Sequence, residues 1–119
     1  MPVDFIYHQG EKILYIDYSD TRNQQDMISV LQAAAEIYRN SNDQIRSLSN
    51  MTGAFIGVDY ANEMKKLSET VFRTKARKAA IYGIDDQKAI LINSYNATNG
   101  YGKIKIFESR EEALEYLVS

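Results

Sequence analysis

Few residues in this chain have the means to do chemistry. His8 is the single histidine. A general base needs a proton to take and a group to orient it. No acid or nucleophile stands near His8 in sequence, so it reads as an exposed residue at the end of a hairpin. Asp17, Asp20, Asp85 and Asp86 could gather near strand ends, where paired carboxylates bind Mg²⁺ or share acid–base work. Asp85 and Asp86 precede a helical stretch, where an N-cap already accounts for an aspartate. Asp17 and Asp20 flank an ordinary loop. With no cysteine there is no thiol nucleophile, no disulfide framework and no Cys-based zinc site. No catalytic residue, metal ligand or cofactor is assigned; a metal-dependent hydrolase would need three or more carboxylates converging on one point.

The stretch "SNMTGAFIGVDYANE" (49–63) is the most distinctive. Two glycines, Gly53 and Gly57, bracket three apolar residues. A phosphate-binding loop would need more glycine and a following Lys-Ser/Thr, and the dinucleotide spacing of three glycines is absent. A receiver domain would need an aspartate at the end of the third strand, where Asn50 stands. What remains is an apolar flap made of Met51, Phe55, Ile56 and Val58, set between polar Asn50 and Asp59. It either plugs the end of the sheet as core or covers a cleft against the next helix. The expectation carried forward is that it borders a small apolar pocket or an interface. Met51, Thr52, Phe55, Ile56, Asp59, Tyr60 and Met64 are its candidate binding residues, and exposure of Phe55 and Ile56 is the deciding observation.

Two further features could meet a partner. "RTKARK" (73–78) gathers basic residues at the end of a helix, where the dipole already favours them; Arg73, Lys75 and Arg77 are candidate contacts for an anionic ligand. Tyrosine is over-represented, nine in 119 residues. Tyr15 shares a strand face with Ile13 and Asp17, and Tyr18 shares the other with Leu14 and Ile16. If the helices gather over one face of the sheet, the other exposes aromatic side chains suited to self-association.

The elements that must position these residues follow from periodicity. "DFIYH" (4–8) and "KILYIDYS" (12–19) form a hairpin across "QGE", with Gly10 free to take positive φ. "TRNQQDMISVLQAAAEIYRN" (21–40) is a helix opened by Thr21 and Gln24 at capping-box spacing. "QIRSLS" (44–49) is a short strand. Asp59 caps a helix over 60–78. "AAIYGI" (79–84) is an apolar run, as expected of a strand covered on both faces. A helix spans 87–98 and stops at "NGYG" (99–102). "KIKIF" (103–107) alternates, placing it at an edge. Ser109 and Glu112 form a capping box for 110–118. The order β-β-α-β-α-β-α-β-α implies an α/β fold with a mostly parallel sheet of about five strands and four helices.

"KAAIYGI" ahead of a helix and the closing "KIKIFESREEALEYL" resemble the STAS superfamily, and within it the stand-alone SpoIIAA-like domains. In that branch the chain closes with an alternating strand, an acidic-serine turn and a helix carrying "EEAL"; Phe107, Ser109, Glu112, Ala113 and Leu117 occupy those places, with Tyr116 where tryptophan is common. The resemblance implies strands in sequential order, and a fold shared with CRAL-TRIO lipid-binding domains. Anti-sigma-factor antagonists of this kind carry a phosphorylated serine at the N-terminus of the helix after the third strand. Here Tyr60 and Ala61 follow Asp59 in that place, so the phosphoswitch does not carry over.

At 119 residues with 14 basic and 16 acidic side chains, the chain is the size of one domain, 1–119, and lacks the basic excess of a nucleic-acid binder. No run is long enough to span a membrane and no signal peptide is indicated, so a bacterial, cytoplasmic location is expected. The expected function is non-enzymatic. It is recognition of a partner protein, of a second copy in a homodimer, or of a small apolar or anionic ligand, through the 51–60 loop and helix 60–78. A carrier of lipid or another apolar small molecule is the alternative.

Overall fold

The computed structural model describes residues 2–89 and 104–119. Five strands form one sheet, β1 (Val3–His8), β2 (Glu11–Asp17), β3 (Ile45–Asn50), β4 (Ala76–Tyr82) and β5 (Ile104–Phe107), in the spatial order β1-β2-β3-β4-β5. Only β1 and β2 are antiparallel; the other pairs are parallel. This is the sequential order that the resemblance implied, and β5 lies at an edge as its alternation required. Gln9 and Gly10 join the hairpin with φ of 50° and 79°. Positive φ at both central residues is what a tight hairpin turn needs to match strand twist.

Helix α1 (Gln24–Asn40) begins two residues later than the Thr21 capping box predicts. Asn23 is the cap, its Oδ1 accepting the Asp26 N–H at 2.9 Å. The Thr21 hydroxyl instead donates to the Tyr18 carbonyl at 2.6 Å, closing the turn that leaves β2. Helix α2 (Val58–Leu67) runs on through a π-helical turn at Ser68–Phe72 and a last turn at Arg73–Lys75. Within it Ser68 and Thr70 donate their hydroxyls back to the carbonyls of Met64 and Lys66. Such back-bonding competes with the regular ladder, and the wider turn sets both Val71 and Phe72 into the core.

The predicted helix 60–78 therefore ends early, at Lys75, and β4 begins at Ala76 rather than Ala79. Ala76 pairs with Ile45 and is fully buried, so pairing with β3 overrides the helix-favouring lysines and arginines. Lys78 lies inside the strand, with Nζ donating to the backbone carbonyls of Tyr116 and Ser119. The run 79–84 ends as a strand at Tyr82, and Gly83 turns the chain away with φ of 84°. Asp85 accepts the Lys88 N–H at 2.9 Å, the capping role expected of it. The rest of the predicted helix 87–98 and the "NGYG" stop lie outside the described residues.

The helices do not gather on one side. α1 and α2 bury the face carrying Leu14, Ile16, Tyr18, Ala79 and Ile81. The C-terminal helix (Arg110–Val118) buries the opposite face, where Ala113, Leu114 and Leu117 meet Ile13, Leu48 and Ala80. The expected exposed aromatic face is thus covered. Tyr15 is half-buried there, its hydroxyl 3.0 Å from that of Tyr82, with the Arg110 guanidinium 5.0 Å from its ring centroid. Tyr7, on β1, stays open to solvent at 70%.

Candidate functional site

The flap leaves the sheet at Asn50, whose side chain fixes its first turn. Asn50 Oδ1 accepts both the Thr52 hydroxyl, at 2.7 Å, and the Thr52 N–H, at 3.1 Å. Met51 then drops into the core, its N–H bonded to the Tyr82 carbonyl. Gly53 takes φ of 70°, and Ala54 is buried. After that the chain rises to the surface. Phe55 is 59% exposed, Ile56 is half-buried and Val58 is 75% exposed. Two large exposed apolar side chains within four positions form a patch of the kind that marks a recognition surface.

Asp59 does not cap α2. The helix starts at Val58 with Gly57 before it, and no side chain of its own caps it. Gln24, at the start of α1, supplies the cap, its Oε1 accepting the Tyr60 N–H at 3.1 Å. Asp59 stands in the first turn, with Oδ2 3.4 Å from Gln24 Nε2. Local sequence around Asp59 holds no sign of this, because the capping group arrives from another helix.

Between α2 and the sheet lies a cavity of 290 Å³. That is at the small end of the roughly 300–1,000 Å³ range of small-molecule pockets. The floor is the sheet: Ile16 from β2, Ser47 and Ser49 from β3, Ala79 and Ile81 from β4, Ile104 from β5. α1 contributes Leu31 and Tyr38, and α2 with its π-turn contributes Tyr60, Ala61, Met64 and Phe72. Tyr18, Met51, Ile56, Gly57 and Val58 complete the wall and rim. No charged side chain is among these lining residues.

The polar atoms in this wall are hydroxyls. The Tyr18 and Tyr60 hydroxyls lie 3.1 Å apart, with their rings edge to face at 5.8 Å between centroids. Tyr38 packs edge to face on Phe72 at 4.8 Å, and Ser47 is buried in the same wall. Burial opposes ionisation of all three phenols. It raises Tyr38 and Tyr60 to about 12 and Tyr18 well above the ordinary tyrosine value.

Of the residues singled out in the sequence, Met51, Ile56, Tyr60 and Met64 line this cavity. Phe55 lies next to the rim but turns outward, Thr52 is used in the turn, and Asp59 faces solvent. The basic candidates are dispersed, Arg73 and Lys75 in the last helical turn and Arg77 on β4. Arg73 and Arg77 are exposed, and Lys75 Nζ donates to the Ser41 carbonyl. His8 ends β1 rather than sitting free in a turn, its Nε2 3.6 Å from Glu115 Oε1. Asp17 Oδ1 accepts the Ser19 N–H, an ordinary loop closure. No group of three or more potential metal ligands occurs among the described residues. Sequence reasoning missed Tyr18, Tyr38, Ser47 and Phe72 as cavity residues. Only Tyr18 carried a signal, a phenol on the same strand face as Leu14 and Ile16, where its hydroxyl must find a partner.

No protein-family model and no curated protein matches this chain. A solved structure does: an uncharacterized DUF3478-family protein from Shewanella loihica PV-4, described as having a SpoIIAA-like fold. The two are 17% identical and superpose with a TM-score of 0.73, covering 97% of this chain and 91% of that one. The fold is SpoIIAA-like. That likeness agrees with the sequential sheet and with the N-terminal hairpin, and at this identity it extends to the fold alone. The SpoIIAA-like frame accounts for where the cavity lies. With no reversal of strand order there is no switch-point crevice, and the open space falls beneath α2 instead. No helix among the described residues is long and apolar enough to cross a membrane.

Proposed function

We propose that this SpoIIAA-like domain is a non-enzymatic binding protein that takes a small apolar molecule into the cavity beneath α2, with the 51–60 flap as its rim. The observation that supports this reading is the lining itself: 290 Å³ of space whose described wall is apolar and hydroxyl side chains without a charge. A concave, mostly apolar space with a few placed hydroxyls is the usual character of a small-molecule site. Met51 and Met64 add unbranched, polarisable side chains that adapt to an occupant's shape.

Two measurements test this. Native mass spectrometry of freshly purified protein should show a retained small molecule, or, after its removal, uptake of the neutral dye Nile red with one molecule per chain. Ala79→Leu, which fills the cavity from its floor, should abolish uptake while the folded protein persists by circular dichroism. Dye uptake unchanged in Ala79→Leu, or none by the native protein, would overturn the reading.

A second reading is docking of a protein partner or a second copy through the flap, favoured by the 59% and 75% exposure of Phe55 and Val58. Sedimentation at high micromolar concentration separates the two, since occupancy of the cavity does not require self-association.

A further inference from the structure

Resting on that reading, we infer that the ligand of this cavity is an uncharged amphiphile, an alcohol, ketone or ester with one hydrogen-bonding oxygen on an apolar body, and not a fatty acid or other anion. Three observations converge. First, the wall offers a neutral polar handle. Tyr18 and Tyr60 carry two O–H donors and are both buried, yet one bond of 3.1 Å joins them. A hydroxyl pair that shares one proton keeps one O–H and several lone pairs to spend on a third oxygen. Among the described residues no third polar group is bonded to this pair. A buried hydroxyl left so is costly unless an occupant completes it.

Second, nothing in the wall would neutralise an anion. Among the described residues no Lys, Arg or His lines the cavity, and the basic side chains Arg73, Lys75 and Arg77 lie at or beyond the opposite end of α2. An unpaired carboxylate in an apolar site bears a large desolvation cost.

Third, the backbone feature at the described rim that could hold an anion is already used. The N-terminus of α2 forms the rim, and helix N-termini attract negative charge. Here the Gln24 amide oxygen occupies the Tyr60 N–H and the Asp59 carboxylate stands in that first turn. This end of the helix is therefore already supplied with an acceptor and a carboxylate, which disfavours an anionic headgroup there. The phenols agree with this picture, since burial holds them in the neutral, donating form.

The test is competition against Nile red by two molecules of equal chain length, 1-decanol and decanoate, at a pH where the acid is ionised. The alcohol should displace the dye at a concentration lower by at least about tenfold. In Tyr18→Phe/Tyr60→Phe, the preference for decanol over decanoate should fall by about tenfold. Displacement by decanoate as good as or better than by decanol would overturn the inference and leave the cavity reading standing. So would a double variant that keeps the native preference for decanol. Failure of the native protein to take up Nile red at all would sink the cavity reading first, and this inference with it.

Discussion

Gln24 Oε1 accepts the backbone N–H of Tyr60 at 3.1 Å, across 36 positions of sequence. One amide thus ties the start of α1 to the start of α2 and holds the rim of the cavity. The fit also explains Gly57. A Cβ there would stand 2.1 Å from Gln24 Oε1 and 2.9 Å from Phe55 Cε1. Gln24→Ala should cost about 1 kcal/mol, the usual penalty for a lost helix cap. Gly57→Ala should expel the same amide and cost a similar amount. Because both changes break one contact, the double variant should fall short of the sum by about 0.5 kcal/mol or more in urea denaturation. Strict additivity would show that the two residues do not share this bond.

Gly83 closes the other side of the flap. Its φ is 84°, and a Cβ would meet Thr52 Oγ1 at 2.3 Å and the Thr52 backbone nitrogen at 2.9 Å. Gly10 has a similar φ of 79° but open space around it. Both Gly→Ala changes incur the left-handed penalty, of about 1 kcal/mol. Only Gly83→Ala must also displace the first turn of the flap. It should be the more destabilising of the two, and it should weaken Nile red uptake where Gly10→Ala does not. Equal melting temperatures for the two variants would contradict the close approach.

The strands are legible in the sequence because their signals are local. The β-branched and aromatic residues of "KILYID", the alternation of "KIKIF" and the apolar run at 79–81 place β2, β5 and β4 without reference to the rest of the chain. The closing Ser109–Glu112 box is likewise present, with Ser109 Oγ accepting the Glu112 N–H at 3.2 Å. What the sequence withholds depends on distant partners. The α2–β4 boundary at Lys75 is decided by pairing of Ala76 with Ile45. The cap of α2 comes from Gln24, and the π-turn shows only once Ser68 and Thr70 are seen to bond backward. Met51, Ile56, Tyr60 and Met64 are recognisable because they sit in or beside an unusual apolar loop. Tyr38, Ser47 and Phe72 are not, since their residue types fit any core and only the packing of α1 and α2 on the sheet brings them to one space.

The C-terminal helix is the sole described helix on its face, so its anchoring should be disproportionately sensitive. Leu117 is fully buried between that helix and the sheet. Leu117→Ala should cost about 2–5 kcal/mol, the range for large-to-small changes in a core. Ser109→Ala, which removes only the cap, should cost about 1 kcal/mol. Neither residue touches the cavity, so Nile red uptake by the folded fraction should stay at the native level in both. Loss of uptake in Ser109→Ala, with folding intact, would show that the two faces are coupled.

The buried phenols set the alkaline limit of the fold. Tyr38 and Tyr60 are raised by burial from 10.0 to about 12. Below pH 10 both are neutral whether the chain is folded or not, and the folded state keeps its full stability. Between pH 10 and pH 12 the unfolded chain releases these protons while the folded chain holds them, so the folded state binds more protons and stability must fall as pH rises. Each group contributes at most on the order of 2–3 kcal/mol to that loss, since a tenfold change in proton affinity is worth about 1.4 kcal/mol. Urea midpoints should therefore be flat up to about pH 10 and decline steeply above it. Tyr38→Phe should soften the decline, because one of the titrating groups is gone. A phenolate absorbance titration of the folded protein should show Tyr38 and Tyr60 ionising only as the fold is lost. Ionisation of all the tyrosines in one step near pH 10 with the fold intact would mean that water reaches the hydroxyls beneath α2, and the cavity would then not be a dry, neutral site.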